Sequence, residues 1–571
     1  MRSSLSQHTA LPDWDESVDV AVIGSGGAGL TGAVIAARNG LATTVFEKAA
    51  VWGGTTALSG GAVWAPANRL QQEAGVADSI ESAAAYLSDV VTDLGPATAP
   101  DRRMAYLTNA PRMVDALIEE GMRWRVDRQP DYLASVHAHR SRDLDPELFD
   151  LKRLGVWRRS MRRNPLPFAM TLNEIPDVGR AFSGFSSAAT MARIIARQWM
   201  ARALCRDPVG CGASLIAQLM NLVQRRSVKV HLSSPLRELV VVDGAVRGVV
   251  IEQFGTLRRV QTRAGVLLAG GGFAHARELR QRSQGVDGRL SSASPDDTGD
   301  LIEMATGLKA MTALMDQAWW ATSFLYPGDV PGFFQWERAL PFSLVVDSRG
   351  ERFANESGDY DSFAKAMLER GIQTAWLILD ARHRRRYAFG GMRPGKTPQA
   401  MFDSGFFLEA PTLPALAHLC NIEPAALTAT VERFNAFADR GKDEDFGRGD
   451  KPYDRHWGDP TVRPNPNLAR VARGPFLATR IHIGDLGTRG GLVTDSNARV
   501  LLQEGAPVQG LYAAGNCTAA VVGLAYPGPG VTLGPAMTFA YIAMQHAASN
   551  ARSRAWEPRA QSVMPLERQV L

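Results

Sequence analysis

Tyr526 stands immediately before a glycine-rich turn, Pro527-Gly-Pro-Gly530, that opens an apolar stretch at 535–544 read as a helix. A phenol beside free backbone N–H groups at a helix start can hold a carbonyl oxygen while it gains negative charge. Just upstream, 510–516 reads as a strand ending in Gly515-Asn516, a pair that brings backbone close to a ligand. A second tyrosine, Tyr360, follows a hairpin at 347–350 and the polar run Arg352, Asn355 and Glu356, and is expected in a loop. Trp319 and Trp320 come before it; holding a flat apolar ligand and plain core packing are equally open for them.

These groups need a framework, and the N-terminal region supplies its first part. Residues 18–23 read as a buried parallel strand, followed at once by Gly24, Gly26 and Gly29 in GxGxxG spacing and a helix at 30–38 that stops at Asn39-Gly40. A second strand, 41–46, ends at Glu47. Strand, glycine turn, helix, strand and acid in that order form a dinucleotide fingerprint: the pyrophosphate sits on the helix start and the acid accepts ribose hydroxyls. A second small-residue loop follows at 52–61, so Lys48, Gly54, Thr55, Thr56, Ser59, Gly60 and Gly61 are expected to wrap a bulky, permanently held cofactor. That favours FAD over NAD. Gly270 and, from the C-terminal side, Gly515, Asn516, Gly530 and Leu533 are expected to border it as well. No histidine lies between Glu47 and Trp64, so the FAD is expected to be held non-covalently.

With 571 residues the chain is long enough for two or more domains. Its four cysteines are irregularly spaced, which gives neither a disulfide framework nor a metal pattern and suits a cytoplasmic protein. Residues 1–15 lack the apolar core of a signal peptide, and no apolar run is long enough to span a membrane. The net charge of +5 is unevenly placed. Segment 151–206 holds eleven Lys and Arg against Glu174 and Asp177, a surplus of +9, which leaves −4 for the rest. Trp157, Phe168, Phe182, Phe185, Ile194, Ile195 and Trp199 lie in the same segment, a pattern that suits either a peripheral membrane contact or a solvated basic face with a core-facing stripe. No nucleic-acid-binding motif accompanies the charge.

Short strands at 228–232, 238–243, 246–252 and 257–261 suggest a meander, and 266–273 suggests a return to the main sheet. The expected fold is α/β: a doubly wound Rossmann-type FAD-binding domain with a β-meander, split in sequence into 1–315 and 478–571, with an inserted α+β capping domain at 316–477.

Several runs then point to one family. Gly270 to Phe273, Thr298 to Asp300, Asp316 to Trp320, Glu351 to Ser357 with Tyr360, and Tyr526 to Gly530 resemble the 3-ketosteroid Δ1-dehydrogenases. These belong to the fumarate reductase/succinate dehydrogenase flavoproteins, and the likeness spans nearly the whole chain. The resemblance implies 1,2-desaturation of a 3-ketosteroid in steroid degradation; a quinone is the electron acceptor expected here, although the sequence does not fix it. By motif, Tyr360 would remove the C2 proton, while Tyr526 and the Gly530 N–H bind the C3 carbonyl. Tyr132 matches a third tyrosine that assists the base, although 133–140 departs from the family's usual run. Val531 and Leu533 replace residues that are often glycine and isoleucine, which bears on substrate shape.

The implied chemistry is physically coherent. A C3 ketone acidifies the C2 hydrogens, and each donor to the developing oxyanion is worth about 3 kcal/mol. A phenol titrates near ~10, so Tyr360 needs help to act as a base, expected from the Tyr132 hydroxyl. Three other readings stay open: a 3-ketosteroid Δ4-(5α)-dehydrogenase, a fumarate-reductase-like enzyme, and a non-catalytic steroid-binding flavoprotein.

Overall fold

The density of Val and Ile between Val18 and Ile23 favours a strand covered on both faces. In the computed structural model the strand Glu16–Ile23 lies inside a nine-stranded sheet. The structure describes residues 7–8, 13–133, 137–138, 142–164 and 168–556; most of 1–15 and of 133–140 therefore lies outside the described residues. Parallel neighbours flank Glu16–Ile23, with Thr43–Phe46 and then Lys229–His231 on one side, and Thr256–Leu268 and then Pro507–Ala513 on the other. Parallel pairing demands crossovers, and the helix Gly27–Arg38 makes the first.

The meander is present as Leu236–Val242, Ala245–Gln253 and Thr256–Leu268, paired antiparallel. Separate strands were expected at 257–261 and 266–273; the structure joins them into Thr256–Leu268, with a register shift between Thr262 and Gly265. Gly265 permits this join. At its φ of 139°, a Cβ would stand 2.8 Å from the Gly510 carbonyl oxygen.

Residues 318–488 build a second sheet of six strands, all antiparallel: Ala318–Tyr326, Val330–Phe334, Ser343–Val346, Thr374–Leu379, Leu408–Ala410 and Phe476–Thr488. The chain then re-enters the first sheet through Pro507–Ala513 and ends its described part in Leu533–Trp556, which extends well past the expected 535–544. That helix packs on Gly27–Arg38, which also packs on Cys211–Arg225. The fit is tight enough that a Cβ on Gly32 would lie 2.4 Å from Leu267. The expected loop at 52–61 contains one turn of helix, Gly54–Leu58. The basic segment folds as a 3₁₀ stretch, Leu151–Ser160, and the helices Ile175–Gly179 and Phe185–Ala203.

Candidate active site

A cavity of about 1250 Å³ runs from the glycine turn to the tyrosines. An ordinary ligand pocket holds roughly 300–1,000 Å³, so a dinucleotide and a second ligand fit together. Every cofactor-side residue expected from the sequence borders this cavity except Gly29. The three fingerprint glycines have separate physical reasons. A Cβ on Gly24, at φ 110°, would stand 2.3 Å from the Ala269 carbonyl oxygen, and one on Gly29 would stand 2.0 Å from the Gly24 oxygen. Gly26 meets only Thr56 Oγ1, at 3.7 Å, which leaves the space above it open to a ligand. Gly29 is therefore a packing residue that lets the helix close on the turn.

The first turn of Gly27–Arg38 has no acidic residue, so the positive end of its dipole remains for an anion. The Gly27 N–H donates to Thr56 Oγ1 at 3.0 Å. Glu47 is buried, and its Oε2 accepts from the Ser25 N–H at 2.9 Å and the Ser25 hydroxyl at 2.7 Å. Its Oε1 accepts from the Ala49 N–H at 2.9 Å and keeps a lone pair for a sugar hydroxyl. Lys48 donates to Thr298 and to Asp300, at 2.7 Å for the latter, which explains the Thr298-Gly-Asp300 run. Thr55 donates to Asp297 at 2.8 Å. Burial raises that carboxyl to about 7, against the pull of the Thr55 hydroxyl and Lys48.

At the other end, Tyr132, Tyr360 and Tyr526 meet. Ring centroids are 5.7 Å apart for Tyr132–Tyr360, 5.3 Å for Tyr132–Tyr526 and 5.0 Å for Tyr360–Tyr526. The Tyr132 N–H donates to the Pro527 carbonyl at 2.8 Å, which fastens Tyr132 to the turn that carries Tyr526. Gly530, at φ 79°, presses on the Ala62–Val63 backbone; a Cβ would be 2.4 Å from the Ala62 carbonyl carbon. Its N–H has no acceptor among the described residues, and the residue borders the cavity.

Burial raises the pKa of all three phenols above the usual tyrosine range. At Tyr360 the neighbouring Tyr132 and Tyr526 push further in the same direction, while hydrogen bonding to Tyr360 eases ionisation of those two.

Tyr360 is also not in a loop. It is the first residue of the helix Tyr360–Glu369, whose start is capped by Asp359 accepting from the Ser362 N–H at 2.8 Å. Arg352, Asn355 and Glu356 do not border the cavity. Arg352 bridges Glu356 and Asp443 at 2.7 and 2.8 Å, and Asn355 donates to Asp454 at 2.9 Å. The motif is a scaffold that delivers Tyr360.

Trp319 and Trp320 are buried and do not border the cavity. Packing is the outcome for both, with Trp319 edge-on to Tyr526 at 5.3 Å. The indoles on the cavity wall are Trp336 and Trp457, stacked at 6.2 Å, beside Leu172, Ile175 and Phe333. Sequence reading missed these; the aromatic run Phe333 to Trp336 was the available signal. Tyr453, 4.6 Å from Tyr132 by ring centroid, was missed as well.

Residues 19–533 match the family of FAD binding domains. The 3-oxosteroid 1-dehydrogenase of Mycobacterium tuberculosis is 38% identical over 94% of this chain and 100% of its own length. The 4-oxocyclohexanecarboxylate 2-dehydrogenase of Sinomonas cyclohexanicum is 34% identical over 92% of each. The crystal structure of 3-ketosteroid delta1-dehydrogenase from Sterolibacterium denitrificans, in complex with 1,4-androstadiene-3,17-dione, superposes with a TM-score of 0.89 at 34% identity, covering 94% of this chain and 100% of that one. A dinucleotide groove opening onto three buried phenols, together with these likenesses, has one family-level meaning: the chain is an FAD-dependent oxidoreductase and belongs to the 3-oxosteroid 1-dehydrogenase family.

Proposed function

We propose that the protein desaturates the C1–C2 bond of a 3-ketosteroid. The observation that carries this is the trio Tyr132, Tyr360 and Tyr526 on the cavity that also holds the dinucleotide groove. Tyr526 and the Gly530 N–H hold the C3 oxygen as removal of a C2 proton puts negative charge on it. The ionised Tyr360 oxygen accepts that proton and becomes a phenol, its phenolate form stabilised beforehand by the hydroxyl of Tyr132. Bound FAD supplies a ring that takes up the C1 hydrogen with its electron pair. The groove residues orient it, and burial of the trio keeps water away from the charged oxygen.

We read the nine-stranded sheet as a doubly wound Rossmann-type domain formed by 1–315 and 478–571, and the antiparallel sheet within 316–477 and its flanks as the capping domain. Among the described residues no histidine or cysteine borders the cavity, which supports non-covalent FAD. The alternatives that need a carboxylate clamp, fumarate reduction and 4-oxocyclohexanecarboxylate oxidation, fit less well. The basic residues on the cavity wall, Lys48, Arg162 and Arg237, are bridged to Asp300, Asp296 and Glu252. The C4–C5 alternative differs in product.

Anaerobic mixing with 4-androstene-3,17-dione, followed by flavin absorbance and product identification, tests this reading. Bleaching with formation of the 1,4-diene is expected; a double bond elsewhere, or binding without bleaching, rejects it.

A quinone is proposed as final acceptor, and a reducing compartment is supported by four free cysteines, three of them buried. No helix among the described residues is long and apolar enough to cross a membrane. The helix Phe185–Ala203 nevertheless turns Phe185 (92% exposed), Ile195, Trp199 (67%) and Met200 to solvent, along with the exposed Arg193 and Arg202. We assign this face to peripheral contact with an anionic lipid surface.

A further inference from the structure

Arg489 is fully buried behind the tyrosines and does not border the cavity. Its Nη1 donates to the carbonyls of Gly523 at 2.9 Å and Ala525 at 3.0 Å, and its Nη2 donates to Asp361 Oδ1 at 2.9 Å. Ala525 directly precedes Tyr526, and Asp361 directly follows Tyr360. The guanidinium carbon lies 4.1 Å from the centroid of the Trp319 ring that packs edge-on to Tyr526. Lys365 reinforces the link, with Nζ donating to Asp361 Oδ2 at 2.6 Å and to the Leu524 carbonyl. Three successive carbonyls on the Tyr526 side and both oxygens of one carboxylate on the Tyr360 side are thus tied by two cations.

Such a cluster is a costly way to fill a core. Stripping water from buried charges costs several kcal/mol, and apolar packing of the same volume often stabilises as well or better. What the charges add is direction: a planar fork fixes its acceptors in angle as well as in distance. The turn that carries Tyr526 and the helix start that carries Tyr360 are more than 160 residues apart in sequence, and this cluster ties them directly.

We propose that Arg489 is a positioning residue for dehydrogenation, setting the separation between the Tyr526 and Tyr360 hydroxyls through Ala525 and Asp361. The claim rests on the reading above, in which Tyr526 holds the ketone oxygen and Tyr360 takes the adjacent proton. The oxygen and that hydrogen are fixed relative to each other by the substrate, so the two phenols have one productive spacing. A displacement of about 1 Å costs on the order of 10²-fold in rate.

The test compares Arg489→Lys, Arg489→Gln and Asp361→Asn with Tyr360→Phe and Tyr526→Phe, using the FAD-loaded full chain and 4-androstene-3,17-dione. Expected for Arg489→Lys and Asp361→Asn is a kcat per bound flavin lowered about 100-fold, with KM within about threefold of wild type and unchanged FAD content. A wild-type kcat per bound flavin in Arg489→Lys overturns the proposal. So does a loss that merely follows melting temperature and FAD content, since that is the mark of a structural role. If Arg489→Gln fails to fold, the other two variants decide by the same criteria. Wild-type rates in both tyrosine variants would instead sink the underlying mechanism, whatever the Arg489 variants show.

Discussion

Tyr360 carries the sharpest consequence of the geometry. Replacing it by Phe keeps the ring contacts with Tyr132, Tyr526 and Phe333 but removes the only atom that can take a proton. Loss of kcat by about 10²–10⁴-fold with FAD still bound is expected from steady-state rates on flavin-quantified protein. Tyr526→Phe should cost about 10²–10³-fold, the scale of one lost oxyanion donor. Because Tyr360 is buried and its pKa is raised, the base form is scarce near neutrality and grows as pH rises. Log kcat should therefore climb from about pH 6 to about pH 9 with no plateau near 7, and a plateau there would show that the base is not this phenol. Tyr360 and Tyr526 were legible because unusual neighbours flank them, the run Glu351 to Ser357 in one case and two Pro-Gly steps in the other. Tyr453, Trp336 and Trp457 were not, since an aromatic on a cavity wall and one in a core have the same local sequence.

The first strand, glycine turn and helix were readable because their pattern is local: a β-rich apolar run, then residues that only a tight turn needs. Gly29→Ala tests that element. Its methyl group would sit 2.0 Å from the Gly24 oxygen, so the helix start must move away from the turn, and the purified protein should carry little FAD by absorbance. Near-stoichiometric flavin in that variant would refute the assigned role. The capping of Tyr360–Glu369 was misread because Gly358-Asp359 suits a turn as well as an N-cap; the same side-chain oxygen serves both. Asp359→Ala should lower stability by about 1 kcal/mol in chemical denaturation and reduce kcat more than it raises KM, since the helix start carries Tyr360. Thr256–Leu268 escaped a purely local reading for a different reason. Its continuity depends on Gly265 lying against Gly510, more than two hundred residues away.

Taken whole, the molecule puts its groove, its three phenols and its exposed basic helix on one chain that passes twice through the first sheet. The lipid-facing assignment predicts that the FAD-loaded protein co-sediments with vesicles rich in anionic lipid and much less with neutral ones. Phe185→Ser with Trp199→Ser should abolish that binding while leaving turnover of a dissolved steroid intact; equal sedimentation of that variant would reject the assignment. Charge and composition had shown only that 151–206 is basic and aromatic. Which of those aromatics face outward depends on the side of Phe185–Ala203 that packs on the rest of the protein, and there Ile194 turned inward and Ile195 outward. The cofactor class and the two flanked tyrosines were encoded in spacing along the chain, because turns, caps and glycine contacts act over a few residues. The meeting of Tyr132, Tyr360 and Tyr526, their burial and the Arg489 link arose from segments hundreds of residues apart. Burial and distance are properties of the packed chain, and they fixed which residues could share a proton.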